Sequence, residues 1–187
     1  PLPELITQSE VKPIQHPRAA EIAQPLAVPA TEKVPPIGAI PYTLITDRKT
    51  LEQWAAEAMR LGTLAVDTET DSLDELQARL VGISLALPDG RAAYVPICHR
   101  QPGEQGGLDL EGSGAGQLLP GQIAHDDAVA ALKEVFAHPG VLKIGHNIKF
   151  DLKVLRRHGL DVTPMDDTML LSFVLEGGLH NHGMDEL

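Results

Sequence analysis

Three acidic residues stand where carboxylates can do chemistry. Asp67 and Glu69 close the run Leu61-Gly-Thr-Leu-Ala-Val-Asp-Thr-Glu-Thr70, and Asp151 ends the segment His146-Asn-Ile-Lys-Phe-Asp151. Side chains alternate faces along an extended strand, so Ala65, Asp67 and Glu69 share one face while Leu64 and Val66 take the other. Two carboxylates roughly 7 Å apart on one face repel, and each tends to hold its proton unless a cation lies between them. Mg²⁺ or Mn²⁺, hard ions that prefer oxygen donors, would relieve that repulsion. Asp151 gives the stronger signal. On a helical wheel Ile148, Phe150, Leu152, Val154 and Leu155 fill one arc and Lys149, Lys153, Arg156 and Arg157 the opposite one, with Asp151 inside the apolar arc. A carboxylate that faces a core neutralises, finds a donor or binds metal. The residues alone leave two other readings open: a strand that runs into an acidic loop at Asp71, Asp74 and Glu75, and an aspartate that caps a backbone N–H.

The elements that must position these acids are readable from pattern. Nine of the 15 prolines fall in the first 41 residues, in a stretch without steady periodicity, so residues 1–40 read as a flexible, partly extended linker. Order begins at Tyr42-Thr-Leu-Ile45, and a helix follows through 51–60 that stops at Gly62. Strands are predicted over 63–69, 79–87 and 91–97, the last two joined as a hairpin by Pro88-Asp-Gly90. Seven of the 17 glycines lie between 103 and 121, which marks a long surface loop. A helix over 126–137, an apolar strand Val141-Leu-Lys-Ile144, the Asp151 helix and a last helix near 166–175 complete the chain. Three antiparallel strands, a crossover helix and a fourth strand give an α/β fold: a mixed sheet flanked by helices, with acids at the end of its first strand. By analogy this is the ribonuclease H-like arrangement.

Bulk properties set limits. The 187 residues, 43% hydrophobic and 22% charged, suffice for one sizeable core. Lone Cys98 excludes a disulfide framework and fits a reducing, cytoplasmic setting. No apolar run approaches the length of a membrane span. The net charge of −11 argues against gripping duplex nucleic acid by phosphate neutralisation alone, yet acids that hold metal can still meet a phosphate through the ion. The chain opens on Pro rather than Met, which reads as a piece of something longer.

The runs Val66-Asp-Thr-Glu-Thr-Asp-Ser-Leu-Asp74, Leu80-Val-Gly-Ile-Ser84, Ala93-Tyr-Val-Pro96, Gly145-His-Asn-Ile-Lys-Phe-Asp151, Asp167-Thr-Met-Leu170 and His182-Gly-Met-Asp-Glu-Leu187 together resemble the proofreading 3′→5′ exonuclease domain of bacterial DNA polymerase I. The resemblance covers roughly 62–187 and implies that 41–187 are the N-terminal part of such a domain. It further implies two divalent ions, Mg²⁺ or Mn²⁺, with Asp67 bridging both, Glu69 on the side of the attacking water and Asp151 holding the second. Thr68, Leu73, His146, Asn147 and Phe150 fall at substrate positions, Leu73 as a wedge against the terminal base. His146 and Phe150 depart from the Gln and Tyr that the family often has there. The implied partners are a single-stranded 3′ end of DNA, a polymerase domain downstream and a 5′-nuclease domain upstream, in a monomer near the nucleoid. The family's third motif, a Tyr followed four residues later by Asp, is expected beyond Leu187, so the fold is expected to be incomplete at its C-terminal side and the chain by itself nearly inactive. A ribonuclease D-like exonuclease and a catalytically silent scaffold domain are the alternatives.

Overall fold

The computed structural model describes residues 42–101 and 116–186. The expected linker over 1–40 and most of the glycine-rich loop lie outside those residues. A six-stranded mixed sheet is built from β1 (Tyr42–Leu44), β2 (Thr63–Thr70), β3 (Leu80–Ala86), β4 (Ala92–Pro96), β5 (Leu142–Gly145) and β6 (Met165–Asp167), in the order β1-β4-β3-β2-β5-β6. The β2, β3 and β4 strands are antiparallel, with β1, β5 and β6 added in parallel. The helices are α1 (Arg48–Leu61), α2 (His125–Ala137), α3 (Lys149–Arg157) and α4 (Thr168–Glu176).

Local chemistry explains the boundaries. Asp47 begins α1 by accepting the Thr50 amide at its side chain, and Gly62 ends it at φ 75°, a left-handed turn that glycine adopts without strain. The β3–β4 hairpin turns where Pro88-Asp89-Gly90 stand, with Leu87 N donating to Arg91 O and Gly90 N to Leu87 O. Strand alternation then sorts the sheet into two faces. Leu64, Val66 and Thr68 with Ile83, Leu85, Ala93 and Val95 are buried and share one core with Leu51, Trp54 and Ala58 of α1, Leu132, Val135 and Phe136 of α2, and Val154 and Leu155 of α3. The other face, with Ala65, Asp67, Ser84 and Tyr94, lines an open cavity of about 520 Å³.

Two elements depart from the sequence expectation. Where one helix was expected near 166–175, a short strand, β6, precedes α4; its three residues Met-Asp-Asp carry no alternation that a pattern can register. The sheet also gains β1 as a parallel edge, so the four-strand core grows to six. The predicted apolar strand at 141–144 holds a buried charge. Lys143 is fully buried, and its Nζ donates to the carbonyls of Val141 at 2.6 Å, Thr163 at 2.7 Å, His138 at 3.1 Å and Val135 at 3.4 Å. Those of Val135 and His138 lie at the C-terminal end of α2, whose last turn has no basic residue of its own, so Lys143 supplies the cation that end favours. Among the described residues no helix is long and apolar enough to cross a membrane.

Candidate active site

Strand β2 delivers Asp67 and Glu69 to the open face of the sheet, both exposed, with Thr68 between them turned into the core. Pairing of β2 with β5 runs from Thr63↔Leu142 to Ala65↔Ile144 and stops there, so beyond Ala65 the edge of β2 has no strand beside it. The chain leaves β5 at Gly145, and the first turn of α3 brings Asp151 to that gap. Asp151 is 4% exposed, and its Oδ1 accepts from Thr68 N at 2.9 Å and from Thr68 Oγ1 at 2.5 Å. Among the described residues no other residue donates to its Oδ2. Of the readings left open by the sequence, the structure realises backbone capping, and does so with only half of the carboxylate.

Electrostatics set Asp67 and Asp151 apart. Although Asp67 is exposed, partial desolvation in the cavity wall pushes its carboxyl up from its ordinary range, while the Thr68 amide and the His146 ring pull it back. The Asp151 carboxyl is likewise pushed up, first by burial and further by the charge of Asp67, against the hydrogen bonds from Thr68. A divalent cation would answer both penalties. The donors are hard oxygens, and two carboxylates near enough for the charge of one to act on the other fit Mg²⁺ or Mn²⁺, which commonly take one or two protein carboxylates and complete their shell with water and phosphate. Among the described residues no three His, Cys, Asp or Glu side chains come close enough to hold one ion by themselves. Of the three expected acids, Asp67 lies near enough for its charge to act on Asp151, and Glu69 stands two residues farther along the same face of β2.

The other expected positions divide. Leu73 lies in the loop between β2 and β3 and is 92% exposed, an apolar side chain free to touch a base. Asn147 is exposed and sits at φ 54°, its amide held by Asp167. His146 lines the cavity beside Asp67; its Nδ1 bonds to Thr168 Oγ1 at 2.9 Å, and its Nε2 is buried without a partner. Two positions lie deeper. Thr68 is buried and gives its hydroxyl to Asp151. Phe150 is only partly exposed because its ring packs against the hydrophobic core.

Several contributors were missed from sequence. Asp167 takes the amides of Asn147 and Ile148 and also those of Met169 and Leu170, so one carboxylate pins the turn before α3 and starts α4; its place in the Asp167-Thr-Met-Leu170 run was the only hint. Tyr94 reaches across β3 over Gly82, where any Cβ would collide with its hydroxyl, and that hydroxyl bonds to His99 Nε2 at 2.6 Å. Burial raises the Tyr94 phenol, and the nearby Glu69 charge adds to it. The basic face of α3 is engaged as well. Lys153 pairs with Glu75, Arg156 with Asp161, and Arg157 donates to the carbonyls of Glu75 and Ala78, so two of these side chains clamp the Leu73 loop to the helix that carries Asp151.

Comparison with known proteins gives a consistent picture. The family model described as 3′-5′ exonuclease matches residues 42–187. DNA polymerase I of Rhizobium leguminosarum is 44% identical over 155 residues, which span 78% of this chain and 15% of that protein. The chain thus spans about 15% of the length of the curated relatives it matches. Among solved structures, Brucella melitensis NrnC bound to pGG superposes with a TM-score of 0.54 at 20% identity, covering 79% of this chain and 59% of that one. Escherichia coli RNase D superposes with a TM-score of 0.50 at 21% identity, covering 71% and 28%. At these identities the shared property is the fold, and the expected ribonuclease H-like mixed sheet is borne out.

Proposed function

The chain belongs to the 3′-5′ exonuclease family, and from that premise we propose that it is the proofreading part of a bacterial DNA polymerase I, hydrolysing the 3′-terminal phosphodiester of single-stranded DNA ends and releasing a nucleoside monophosphate. The observation that carries the reading is the pair of carboxyls Asp67 and Asp151, both pushed above their ordinary range, with Asp151 held by Thr68 at the edge of β2 that β5 leaves uncovered. Two divalent ions, Mg²⁺ or Mn²⁺, held by Asp67, Glu69 and Asp151 would supply an acidified water and charge stabilisation at the leaving 3′ oxygen.

The chain's own residues supply the rest. Asp67 and Glu69 present their charge on the open face, where a strand end can approach from solvent. Leu73 offers an apolar surface on which an unpaired terminal base can stack, a contact that tolerates any sequence. Exposed Asn147, and His146 on the wall of the cavity beside Asp67, would be the polar contacts for the terminal nucleotide. Within a longer polymerase chain, the domain would take frayed 3′ ends from the polymerase site in replication and repair, with residues 1–40 as the link to an upstream domain. The sequence relatives are DNA polymerases, which favours DNA over the RNA of a ribonuclease D-like reading.

The test is exonuclease assay of the full-length polymerase on 3′-labelled single-stranded DNA in Mg²⁺, beside Asp67→Ala and Asp151→Ala. Loss of mononucleotide release in both variants, with polymerisation intact, supports the reading. Retention in both means the acids are structural and the domain is a scaffold.

A further inference from the structure

The residue between the two β2 acids has a task of its own. Thr68 is 8% exposed on the core side of β2, yet its hydroxyl does not seek a main-chain acceptor. It donates to Asp151 Oδ1 at 2.5 Å, and the Thr68 amide donates to the same oxygen at 2.9 Å. Both donors come from one residue, across 83 positions of sequence, and both fall on one oxygen. The amide is free for this because β5 stops pairing with β2 at Ala65. The carboxylate is thereby fixed in rotation, and only Oδ2 remains to meet a ligand.

We propose that Thr68 is a positioning residue that locks Asp151 through Oδ1, so that Oδ2 would be left for a divalent ion at the exonuclease site. The inference rests on the functional reading above. Threonine suits the place on both of its branches: the methyl lies with the buried side of β2, and the hydroxyl supplies a directed donor from a side chain with restricted χ1. A charge-assisted bond of this kind is among the stronger ones available to a buried carboxylate. Partners that orient a metal ligand from behind are typically worth about 10–100-fold in affinity or rate.

Three replacements in the full-length polymerase separate positioning from packing. Thr68→Val keeps the volume and removes the donor; Thr68→Ser keeps the donor and removes the methyl; Thr68→Ala removes both and serves if the valine protein fails to fold. The probe is Mn²⁺ alone, titrated by calorimetry without DNA, followed by single-turnover cleavage of a 3′-labelled single strand. Thr68→Val and Thr68→Ala are expected to lose about 10–100-fold in Mn²⁺ affinity and cleavage rate, with DNA affinity in EDTA unchanged, and Thr68→Ser to stay near the unaltered protein. A valine protein that binds Mn²⁺ and cleaves normally overturns the proposal, and so does a serine protein that loses as much as valine. Asp151→Ala, run beside them, tells the two failures apart. If it loses Mn²⁺ binding while Thr68→Val does not, only the role of Thr68 falls; if it loses nothing, the metal site itself falls and the role of Thr68 with it.

Discussion

Strand β5 carries one buried charge and leads to another of opposite sign, and the two are treated in opposite ways. Lys143, within the strand, spends its ammonium on four main-chain carbonyls, and every neighbour of the group is structural. Asp151, just past the strand's end, has one oxygen satisfied twice by Thr68 and the other left without a donor from any other described residue. Burial shifts both groups toward neutrality: the Lys143 ammonium is held down to about 8, and the Asp151 carboxyl is pushed up. Lys143 is closed off by main-chain acceptors and reads as architecture, while Asp151 keeps an oxygen that no other described residue engages and reads as a site.

The largest expected effect breaks the comparison on the acidic side. Asp151→Asn keeps an acceptor for Thr68 and removes the charge, so exonuclease rate should fall by on the order of 10²–10³-fold, the scale seen when one electrostatic partner of a reaction is removed. Stability should move the other way. Because the folded carboxyl is raised, the folded state keeps a proton that the unfolded chain releases near pH 4, so Asp151 costs stability as pH rises above that point. In EDTA at pH 7.5, Asp151→Asn should therefore melt higher than the unaltered protein, and the gap should narrow toward pH 4; thermal unfolding across that range checks it. A lower Tm for the asparagine variant at neutral pH would mean the carboxylate is a structural anion like its cationic counterpart.

The matching break on the basic side is Lys143→Met. It fills similar space and strands carbonyls that the ammonium had satisfied, so stability should drop by about 1–3 kcal/mol with the rate per folded molecule unchanged. The pH dependence has the reverse sign. A lysine lowered to about 8 binds its proton less readily when folded, so the penalty is full below pH 8 and is relieved as pH climbs toward the unfolded value of about 10.4. The unaltered protein should gain stability over that window, and Lys143→Met should lose the gain. Equilibrium urea unfolding at pH 7.5 and 9.5 measures both statements.

How much of this was legible follows from what pattern can carry. Alternation along 63–70 placed Asp67 and Glu69 on one face, and the helical wheel put Asp151 among Val154 and Leu155; the structure agrees because burial enforces period on both elements. Thr68 and Lys143 were illegible for a shared reason. Each is a polar residue on a buried face whose partners are set by how the chain turns back on itself, Asp151 for one and the carbonyls of Val135, His138, Val141 and Thr163 for the other, and no local period registers such bonds. Asp167 was quoted only as part of a motif, since taking four amides depends on two turns meeting in space. The wheel set Lys153, Arg156 and Arg157 of α3 on the arc opposite the core, but their partners Glu75, Asp161 and the loop carbonyls lie outside the helix and no local period registers them. The α4 residues Leu170, Phe173, Val174 and Leu175 are more than half exposed, so the core-facing stripe that a helix usually declares is missing there.

The smallest effects sharpen the contrast by adding charges that are not buried. Arg157 and Lys153 both tie the Leu73 loop to α3, but by different chemistry. Arg157 satisfies two carbonyls, of Glu75 at 3.0 Å and Ala78 at 2.9 Å, and Arg157→Ala should cost about 1 kcal/mol, with little dependence on salt. Lys153 meets Glu75 at 2.5 Å with side chains 44% and 31% exposed, and an exposed pair is worth about 0.2–1 kcal/mol and fades as ionic strength rises. Lys153→Ala should thus leave Tm almost unchanged at 0.5 M salt. If the loop positions the terminal base through Leu73, both replacements should raise KM for single-stranded DNA a few-fold while kcat holds, since neither touches the Thr68–Asp151 lock. A fall in kcat for Lys153→Ala would show that the clamp reaches Asp151 through α3, and the division between a closed structural cluster and an open site would then have to include the face of the helix that looks outward.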